Sequence, residues 1–443
     1  MGTPEMHGTP SLSTGTVTLR NARVPSAALG KIGDGSVASV DIEIVGGRIA
    51  AIRPTGSSPI TGAVHDMDKG LILPAFVDIH THLDKGQIWP RKENPDGTWL
   101  GALLAVGADR ERNWAASDVE RRFDFALRSA YAHGTAAIRT HLDSAPPQHE
   151  ISWALFERMR EKWTDRIELQ AVAIVGPDTL VNPAELDAVA RQVKASGGLL
   201  GGSVATYDRS KEAMLRVVEK AGDLGLDLDL HTDETGDPAA HALLHLAEAV
   251  IETGYTGKVM AGHCCVLTVQ DERTVKTTID KAVEAGIAIV SLPMCNIYLQ
   301  DRENGNGAVR TPIRRGATLL NEFKAAGAVV AIASDNARDP FYAYGDLDGV
   351  EVLREGARIL HFDHPQDQAW DWVRAVGSAP AAHAGFTYKA VIEPGAPADL
   401  VLFRARSWTE LNSRPQMDRI VLRSGRAIDT TLPDYRELDD LME

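Results

Sequence analysis

The chain has 443 residues, enough for one large barrel together with a smaller domain. Hydrophobic residues make up 44% and charged residues 24%, an ordinary globular composition that excludes a fibrous or largely disordered chain. The 46 basic and 61 acidic residues give a formal net charge of −15, which disfavours nucleic acid as a partner and favours a small-molecule substrate.

The cysteines and the first residues bear on the compartment. The three cysteines, Cys264, Cys265 and Cys295, provide neither a disulfide framework nor a four-cysteine zinc site. Residues 1–15 contain prominent Gly, Thr, Pro and Ser and lack an apolar core flanked by positive charge, so we predict a flexible tail and not a signal peptide. No segment is convincing as a membrane span. These features predict a cytoplasmic protein without a membrane partner.

Short strand-like segments follow the tail and return near the end of the chain. The early ones are separated by glycine turns such as Gly46-Gly47, and the last one turns at Ser424-Gly425. Since the two groups could pair, we predict a small β-sandwich domain formed by both chain ends, residues 16–73 and 391–443. The segments cover residues 17–19, 40–45, 49–52, 399–403 and 419–428.

Between these ends, apolar strand-like segments alternate with helical stretches, which is the pattern of repeated βα units. Together with the apolar segment before His80 they make eight strands, the number that a closed barrel needs. We therefore predict an α/β fold, a distorted (β/α)8 TIM barrel over residues 74–390. The seven further segments cover residues 136–140, 167–175, 199–204, 226–231, 258–263, 287–292 and 329–334.

The first barrel strand ends on two histidines, His80 and His82, at positions i and i+2. Alternate side chains of a strand share a face, so both rings can point at one cation. Neutral imidazole is a good ligand for zinc or ferrous iron. Alone, such a pair could equally cap a strand, but polar residues also stand at other strand ends, where barrel enzymes place their chemistry. These residues are His141, His231, His263 and Asp335.

Several motifs resemble, in order and spacing, the amidohydrolase superfamily and, within it, the cytosine deaminase branch. The resemblance covers nearly the whole chain except the tail. The motifs are His80-Thr-His82, Arg139-Thr-His141-Leu-Asp143, His231-Thr-Asp-Glu234, Gly262-His263, Asn296-Ile-Tyr-Leu-Gln300-Asp-Arg302, Arg314-Arg315-Gly316, Ser334-Asp335-Asn336 and Asp339-Pro340-Phe341-Tyr342.

The resemblance implies that His80, His82, His231 and Asp335 bind one divalent metal ion, Zn2+ or alternatively Fe2+. Many binuclear relatives carry a carboxylated lysine at the end of the fourth barrel strand. The corresponding residues 201–207 contain no lysine, so a mononuclear centre is expected. Such a metal lowers the pKa of its bound water, roughly from 15.7 toward 7, and so makes hydroxide available.

The same resemblance assigns catalytic roles. Glu234 would carry protons to the ring nitrogen and to the leaving amine. His263 would orient and polarise the water, and Asp335 could accept a proton from it in addition to binding the metal. The alternative for Glu234 is a surface or helix-capping carboxylate. His141 and Asp143 are expected to organise the surroundings of the ligands.

Departures from the cytosine deaminase pattern bear on the substrate. Those enzymes commonly place a glutamine after the third strand, where this chain has Gly176. Asn336 replaces their second aspartate, and Phe341 stands near the next proline where a tryptophan is expected. A larger pocket and the donor and acceptor of Asn336 favour a bicyclic heterocycle over cytosine. Trp89, in the long loop after the first strand, could stack on that ring or pack against the barrel rim.

The sequence thus predicts a metal-dependent hydrolytic deaminase that releases ammonia from an amino-substituted N-heterocycle, pterin-like or purine-like. Cytosine deaminase proper and a ring-opening cyclic amidohydrolase are alternatives that use the same metal and water. A catalytically idle metal-binding barrel is disfavoured, because a structural zinc site normally closes its coordination and needs no acid or base such as Glu234 nearby. Relatives are often assemblies, so a homo-oligomer is expected.

Overall fold

The computed structural model describes residues 15–31, 35–59, 62–302 and 311–443. The predicted tail, residues 1–15, lies outside these ranges except for its last residue. Among the helices described, none combines the length and the apolar character needed to cross a membrane.

The N-terminal strands form a mixed sheet. Its order is β3-β2-β1-β4, with β1–β2 and β2–β3 antiparallel and β1–β4 parallel. Gly46 and Gly47 lie between β2 and β3 with φ angles of +57° and +82°, which glycine adopts without steric cost. The predicted turn is therefore confirmed. The strands up to the barrel are β1 (Val17–Pro25), β2 (Val37–Val45), β3 (Arg48–Pro54), β4 (Ala63–Asp66) and β5 (Ile72–Pro74).

Eight parallel strands follow and form two sheets, of three and five strands. They are β6 (Phe76–Thr81), β7 (Thr135–Asp143), β8 (Glu168–Ile174), β9 (Leu200–Val204), β10 (Leu228–Thr232), β11 (Val259–His263), β12 (Ala288–Ser291) and β13 (Val330–Ile332). Isolated parallel bridges join the two sheets, between Val172 and Leu199 at one junction and between Thr81 and Asp335 at the other. The eight strands thus close into a ring, and the predicted α/β barrel is confirmed.

The last strands return to the start of the chain. β14 (Leu400–Leu402), β15 (Ile420–Arg423) and β16 (Arg426–Ala427) form a sheet with β5, in the order β16-β15-β14-β5. A hydrophobic cluster separate from the main core contains residues from both chain ends, including Leu19, Ile42, Leu400 and Leu422. The domain boundaries at residues 16–73, 74–390 and 391–443 stay a prediction.

The helices are amphipathic where they cover the barrel. Helix α2 buries Val119, Phe123, Ala126 and Ala130, residues spaced three or four apart that form one apolar face. The α-helices are α1 (Trp99–Asn113), α2 (Ala116–His133), α3 (Gln148–Trp163), α4 (Pro177–Val181), α5 (Pro183–Ser196), α6 (Ser210–Leu224), α7 (Ala242–Thr253), α8 (Glu272–Glu284), α9 (Pro293–Leu299), α10 (Leu320–Ala325), α11 (Gly349–Ile359), α12 (Ser378–Ala384), α13 (Trp408–Ser413) and α14 (Asp439–Met442). Short 3-10 helices cover Ser26–Leu29, Cys265–Val269, Gln366–Val376 and Tyr435–Leu438.

Candidate metal centre and active site

The four predicted ligands converge at the C-terminal end of the barrel strands. The Nε2 atom of His231 lies 3.1 Å from Nε2 of His80 and 3.2 Å from Nε2 of His82. Oδ1 of Asp335 lies 3.2 Å from Nε2 of His82 and 3.7 Å from Nε2 of His80. All four residues are buried. One nitrogen from each ring and one carboxylate oxygen therefore face the same small volume.

These donor atoms fit a divalent metal ion. A tetrahedral zinc site with bonds of about 2.0–2.1 Å places neighbouring donor atoms about 3.3 Å apart, close to the separations found here. Burial lowers the pKa of His80, His82 and His231 well below the ordinary value, so the rings are neutral, the form that binds metals. Burial also raises the pKa of Asp335 to about 7. A cation between the four side chains would stabilise the ionised carboxylate.

His141 and Asp229 lie beside the ligands inside the barrel. The His141 ring is 4.0 Å from that of His80, centroid to centroid, and its Nε2 is 3.8 Å from Oδ1 of Asp229. Asp229 also forms an ion pair of 2.8 Å with Arg139, which links β10 to β7. Asp143, by contrast, forms ion pairs with Lys85 and Arg110. His141 is thus adjacent to a ligand ring, whereas Asp143 anchors the base of the loop after β6.

Glu234 is buried three residues after His231. Its Oε1 lies 3.4 Å from Nδ1 of His263, and its Oε2 accepts a hydrogen bond of 2.7 Å from Nε1 of Trp99. Burial raises the pKa of Glu234 to about 8, and the negative charge of Asp335 acts in the same direction. A carboxyl group with a pKa near neutrality can both accept and release a proton at physiological pH.

His263 is the last residue of β11. Its Nδ1 accepts a hydrogen bond of 2.8 Å from Nδ2 of Asn296. Burial lowers the pKa of His263 to about 3, so the ring is neutral and carries its proton on Nε2. That buried Nε2 finds no hydrogen-bond partner within the described ranges. The ring centroid is 5.0 Å from that of His231, so a free N–H donor stands beside the ligand cluster.

Gly176 and Asn336 take up different positions around this centre. Gly176 follows β8 and precedes α4, and a β carbon built on it would meet no heavy atom within 4 Å. Gly176 is exposed, so this open space is continuous with the solvent, and its role in substrate binding stays a prediction. Asn336 is buried and donates from Nδ2 to Oδ2 of Asp339 at 2.7 Å. Its amide nitrogen is thus engaged within the protein.

Two aromatic residues, Phe341 and Trp99, pack against each other beside Glu234. Phe341 packs edge to face against Trp99, with 6.3 Å between ring centroids, and Nζ of Lys85 lies 5.4 Å from the centre of the Phe341 ring. Trp89 is half-buried, and its backbone N–H donates to the carbonyl oxygen of Arg338. Sequence reasoning did not single out Trp99, and the stacking role of Trp89 stays a prediction. The sequence did contain one local signal for the position of Trp99. Thr98 is a typical helix N-cap residue, so Trp99 could have been placed at the start of a helix.

The barrel and the histidine-rich centre at the ends of its strands define the class. The chain belongs to the amidohydrolase family, whose family model, Amidohydro_3, matches residues 124–426. The predicted resemblance is thereby confirmed.

Individual proteins give closer matches. The chain is 52% identical over 428 residues to a pterin deaminase of Rhizobium rhizogenes, with 96% of each chain covered. It superimposes with a TM-score of 0.80 on 5-methylcytosine deaminase from Klebsiella pneumoniae, at 23% identity and with 95% of this chain and 98% of that chain covered. For N-isopropylammelide isopropylaminohydrolase from Burkholderia multivorans the TM-score is 0.72, the identity 26% and the coverage 95% and 100%.

Proposed function

We propose that this protein is a metal-dependent hydrolytic deaminase that releases ammonia from a bicyclic aminoheterocycle of the pterin type. The observation that carries the proposal is the 52% identity to a pterin deaminase over 96% of both chains. The buried Glu234 and His263 beside four converging ligand atoms support the chemistry. Cytosine deaminase proper and a ring-opening amidohydrolase fit less well, because the pterin deaminase matches far more closely than the structural neighbours at 23% and 26% identity.

The metal centre is proposed to be mononuclear. His80, His82, His231 and Asp335 would hold one ion, zinc or alternatively ferrous iron, since both accept three imidazoles and a carboxylate. Bound there, the ion supplies a hydroxide nucleophile at neutral pH. Residues 201–207, which include the end of β9, contain no lysine that could be carboxylated to bridge a second ion.

Glu234 is proposed to move the protons. In the reaction, the oxygen of water bonds to the ring carbon, the bond from that carbon to the exocyclic nitrogen breaks, and ammonia leaves. The ring nitrogen and the leaving amine must each gain a proton. Oε1 of Glu234 accepts no hydrogen bond in the described structure and lies on the side of His263, so it is available for this transfer.

His263 and Asp335 complete the catalytic set. The unpaired Nε2–H of His263 can donate to the attacking oxygen and orient it. Asp335, besides binding the metal, can accept a proton from the attacking water. Because the pKa of His263 is low, its ring keeps a single proton throughout and acts as a fixed donor, not as an acid.

The pocket is proposed to favour two fused rings over one. The second ring is proposed to lie beside Gly176, an exposed residue after β8 at which a β carbon would meet no heavy atom within 4 Å. Phe341, together with Trp99, offers aromatic surface for a planar substrate. The amide oxygen of Asn336 accepts a hydrogen bond of 3.7 Å from Sγ of Cys295 and keeps a second lone pair for a substrate donor. Trp89 stays a predicted stacking residue of the loop after β6.

Compartment and assembly are also proposals. The three cysteines are free and buried, as expected in a reducing cytoplasm. Leu100, Leu103 and Leu104 on α1 are 55%, 44% and 64% exposed, a cluster of apolar side chains that a second copy of the chain could cover in a homo-oligomer. Light scattering coupled to size exclusion measures the mass in solution.

Ammonia release by the zinc-loaded protein tests the function. The panel contains pterin and 6-substituted pterins, guanine, isoguanine, cytosine, 5-methylcytosine and creatinine, and mass spectrometry identifies the product. We expect release from pterins and an oxo product. A preference for cytosine would overturn the choice of a bicyclic substrate, and substrate loss without ammonia would indicate ring opening.

A further inference from the structure

We infer that Trp99 is a positioning residue for Glu234: its indole N–H holds one carboxylate oxygen so that the other faces the reacting centre. The inference depends on the proposed function, in which Glu234 carries the protons. Trp99 is the first residue of α1, between β6 and α2. It precedes β10, the strand that contains His231, by more than 100 positions.

The two oxygens of Glu234 have different surroundings. Oε2 accepts the hydrogen bond from Nε1 of Trp99 at 2.7 Å. Oε1 is buried, lies 3.4 Å from Nδ1 of His263 and accepts no hydrogen bond from the part of the chain that is described. Without Trp99, rotation about the last side-chain bond would exchange the two oxygens. The indole therefore selects which oxygen is presented.

Trp99 is itself firmly placed. It is the first residue of α1, and the side chain of Thr98 caps this helix by accepting a hydrogen bond of 2.9 Å from the backbone of Gly101. Nδ2 of Asn94 donates to the carbonyl oxygens of Thr98 and Pro340, each at 3.0 Å. The start of α1 is thus tied to the loop that follows the ligand Asp335.

The neighbouring ring strengthens this placement. Phe341 follows Pro340 directly and packs edge to face against the indole of Trp99. The indole is therefore held by ring packing on one side and by its helix on the other, while its N–H is directed at Glu234. Such a rigid donor can keep a catalytic carboxylate within the narrow range of orientations that proton transfer requires.

The test compares the W99F variant with wild type and with W408F, all as zinc-loaded full-length enzymes. Phenylalanine keeps an aromatic ring against Phe341 and removes only the N–H donor and the second ring. Trp408 is a matched control, since it is half-buried, is the first residue of α13 and follows the N-cap Ser407. Circular dichroism and metal content are recorded for each variant.

We expect kcat of W99F on pterin to fall about 10-fold or more, a fraction of what a general acid–base residue contributes, with a much smaller change in KM. A hydrogen bond to a carboxylate favours its ionised form, so losing the bond raises the pKa of Glu234. The acidic limb of the kcat–pH profile should then move to higher pH. W408F should keep the wild-type kcat and profile.

Other results would contradict the inference. An unchanged kcat and pH profile in W99F would overturn it, and so would a rise in KM with an unshifted profile, because that pattern indicates only a lost pocket wall. If W99F does not fold, N94A serves instead, since it keeps the indole and removes the link to Pro340; it should shift the profile in the same direction.

A wild-type enzyme that releases no ammonia from pterins would overturn the proposed function, whereas an active wild type with an unaffected W99F overturns this inference alone.

Discussion

Nε2 of His80 and Nε2 of His231 lie 3.1 Å apart, although 151 positions separate the two residues in the chain. Nε2 of His231 also lies 3.2 Å from Nε2 of His82. A ring nitrogen can share its proton with only one neighbour, so one common cation satisfies the three nitrogens better than hydrogen bonds among them. The strands β6 and β10 place both rings at the same end of the barrel. The barrel therefore brings the two rings together.

Removing one ligand should empty the centre. We expect D335A to lose the metal on dialysis, because three neutral imidazoles retain no negative charge to attract a divalent ion. Inductively coupled plasma mass spectrometry measures the metal per chain. D271N, which changes a surface carboxylate at the start of α8, is the control and should keep the wild-type content. Full metal retention in D335A would show that Asp335 is not a ligand.

Replacing Glu234 should separate catalysis from metal binding. In E234Q the amide has nearly the same shape but cannot carry a proton, so kcat should fall by about 10²–10⁴-fold. The metal content should equal that of wild type. Ammonia release and metal analysis of the same preparation check both statements. If the metal disappears together with the activity, Glu234 contributes to the metal centre instead of carrying protons.

Filling the space beside Gly176 should penalise larger substrates. Gly176 is exposed, its backbone has a φ of −72°, which any residue adopts, and a β carbon meets no heavy atom within 4 Å, so a glutamine fits there without strain. We expect G176Q to lower kcat/KM for pterin by about 10-fold or more, with a smaller loss for cytosine, since a pocket contact of this size is worth about 1–3 kcal/mol. G176A is the matched control and should change the ratio little. An unaltered ratio in G176Q would place the second ring elsewhere.

Removing a buried ion pair should lower the free energy of unfolding far more than removing an exposed one. Arg419 donates to both oxygens of Asp348, each at 2.6 Å, and Asp348 also caps α11 through the backbone N–H of Val350. D348A leaves the Arg419 guanidinium buried without its partner, so the free energy of unfolding should fall by about 3–5 kcal/mol. Urea unfolding followed by circular dichroism measures this change. The control D280N, which removes an exposed partner of Lys276, should have a much smaller effect. Equal losses in both variants would contradict the prediction.

Much of the barrel could be predicted because its strands are buried on both faces. Parallel strands of this kind form continuous apolar runs, and all nine residues of β7 are buried. The prediction that His80 and His82 face one volume also used local information, since alternation along a strand is a local property; their role as metal ligands stays a prediction. Each of these predictions needed only neighbouring residues and a rule of geometry.

The contacts of the loop after β6 could not be predicted in the same way. Trp99 and Glu234 are 135 positions apart, and their hydrogen bond depends on the path of that loop across the barrel mouth. Trp89 and Trp99 lie in the same connection and are alike as residue types, so composition gave no reason to prefer Trp99. The path is fixed by side-chain contacts such as that from Asn94 to Pro340, which exist only after the barrel has formed.

The bridge between Thr81 and Asp335 closes the barrel, so the barrel can close only after residue 335 has been synthesised. The first two predicted ligands, His80 and His82, leave the ribosome early, at the end of the first barrel strand. The fourth, Asp335, stands three residues after the last barrel strand, and its amide donates to the carbonyl oxygen of His80 at 2.9 Å. A nascent chain that has not yet exposed residue 335 therefore has an open barrel and an incomplete set of ligands. If the predicted set binds the metal, we expect loading to be a late step of maturation.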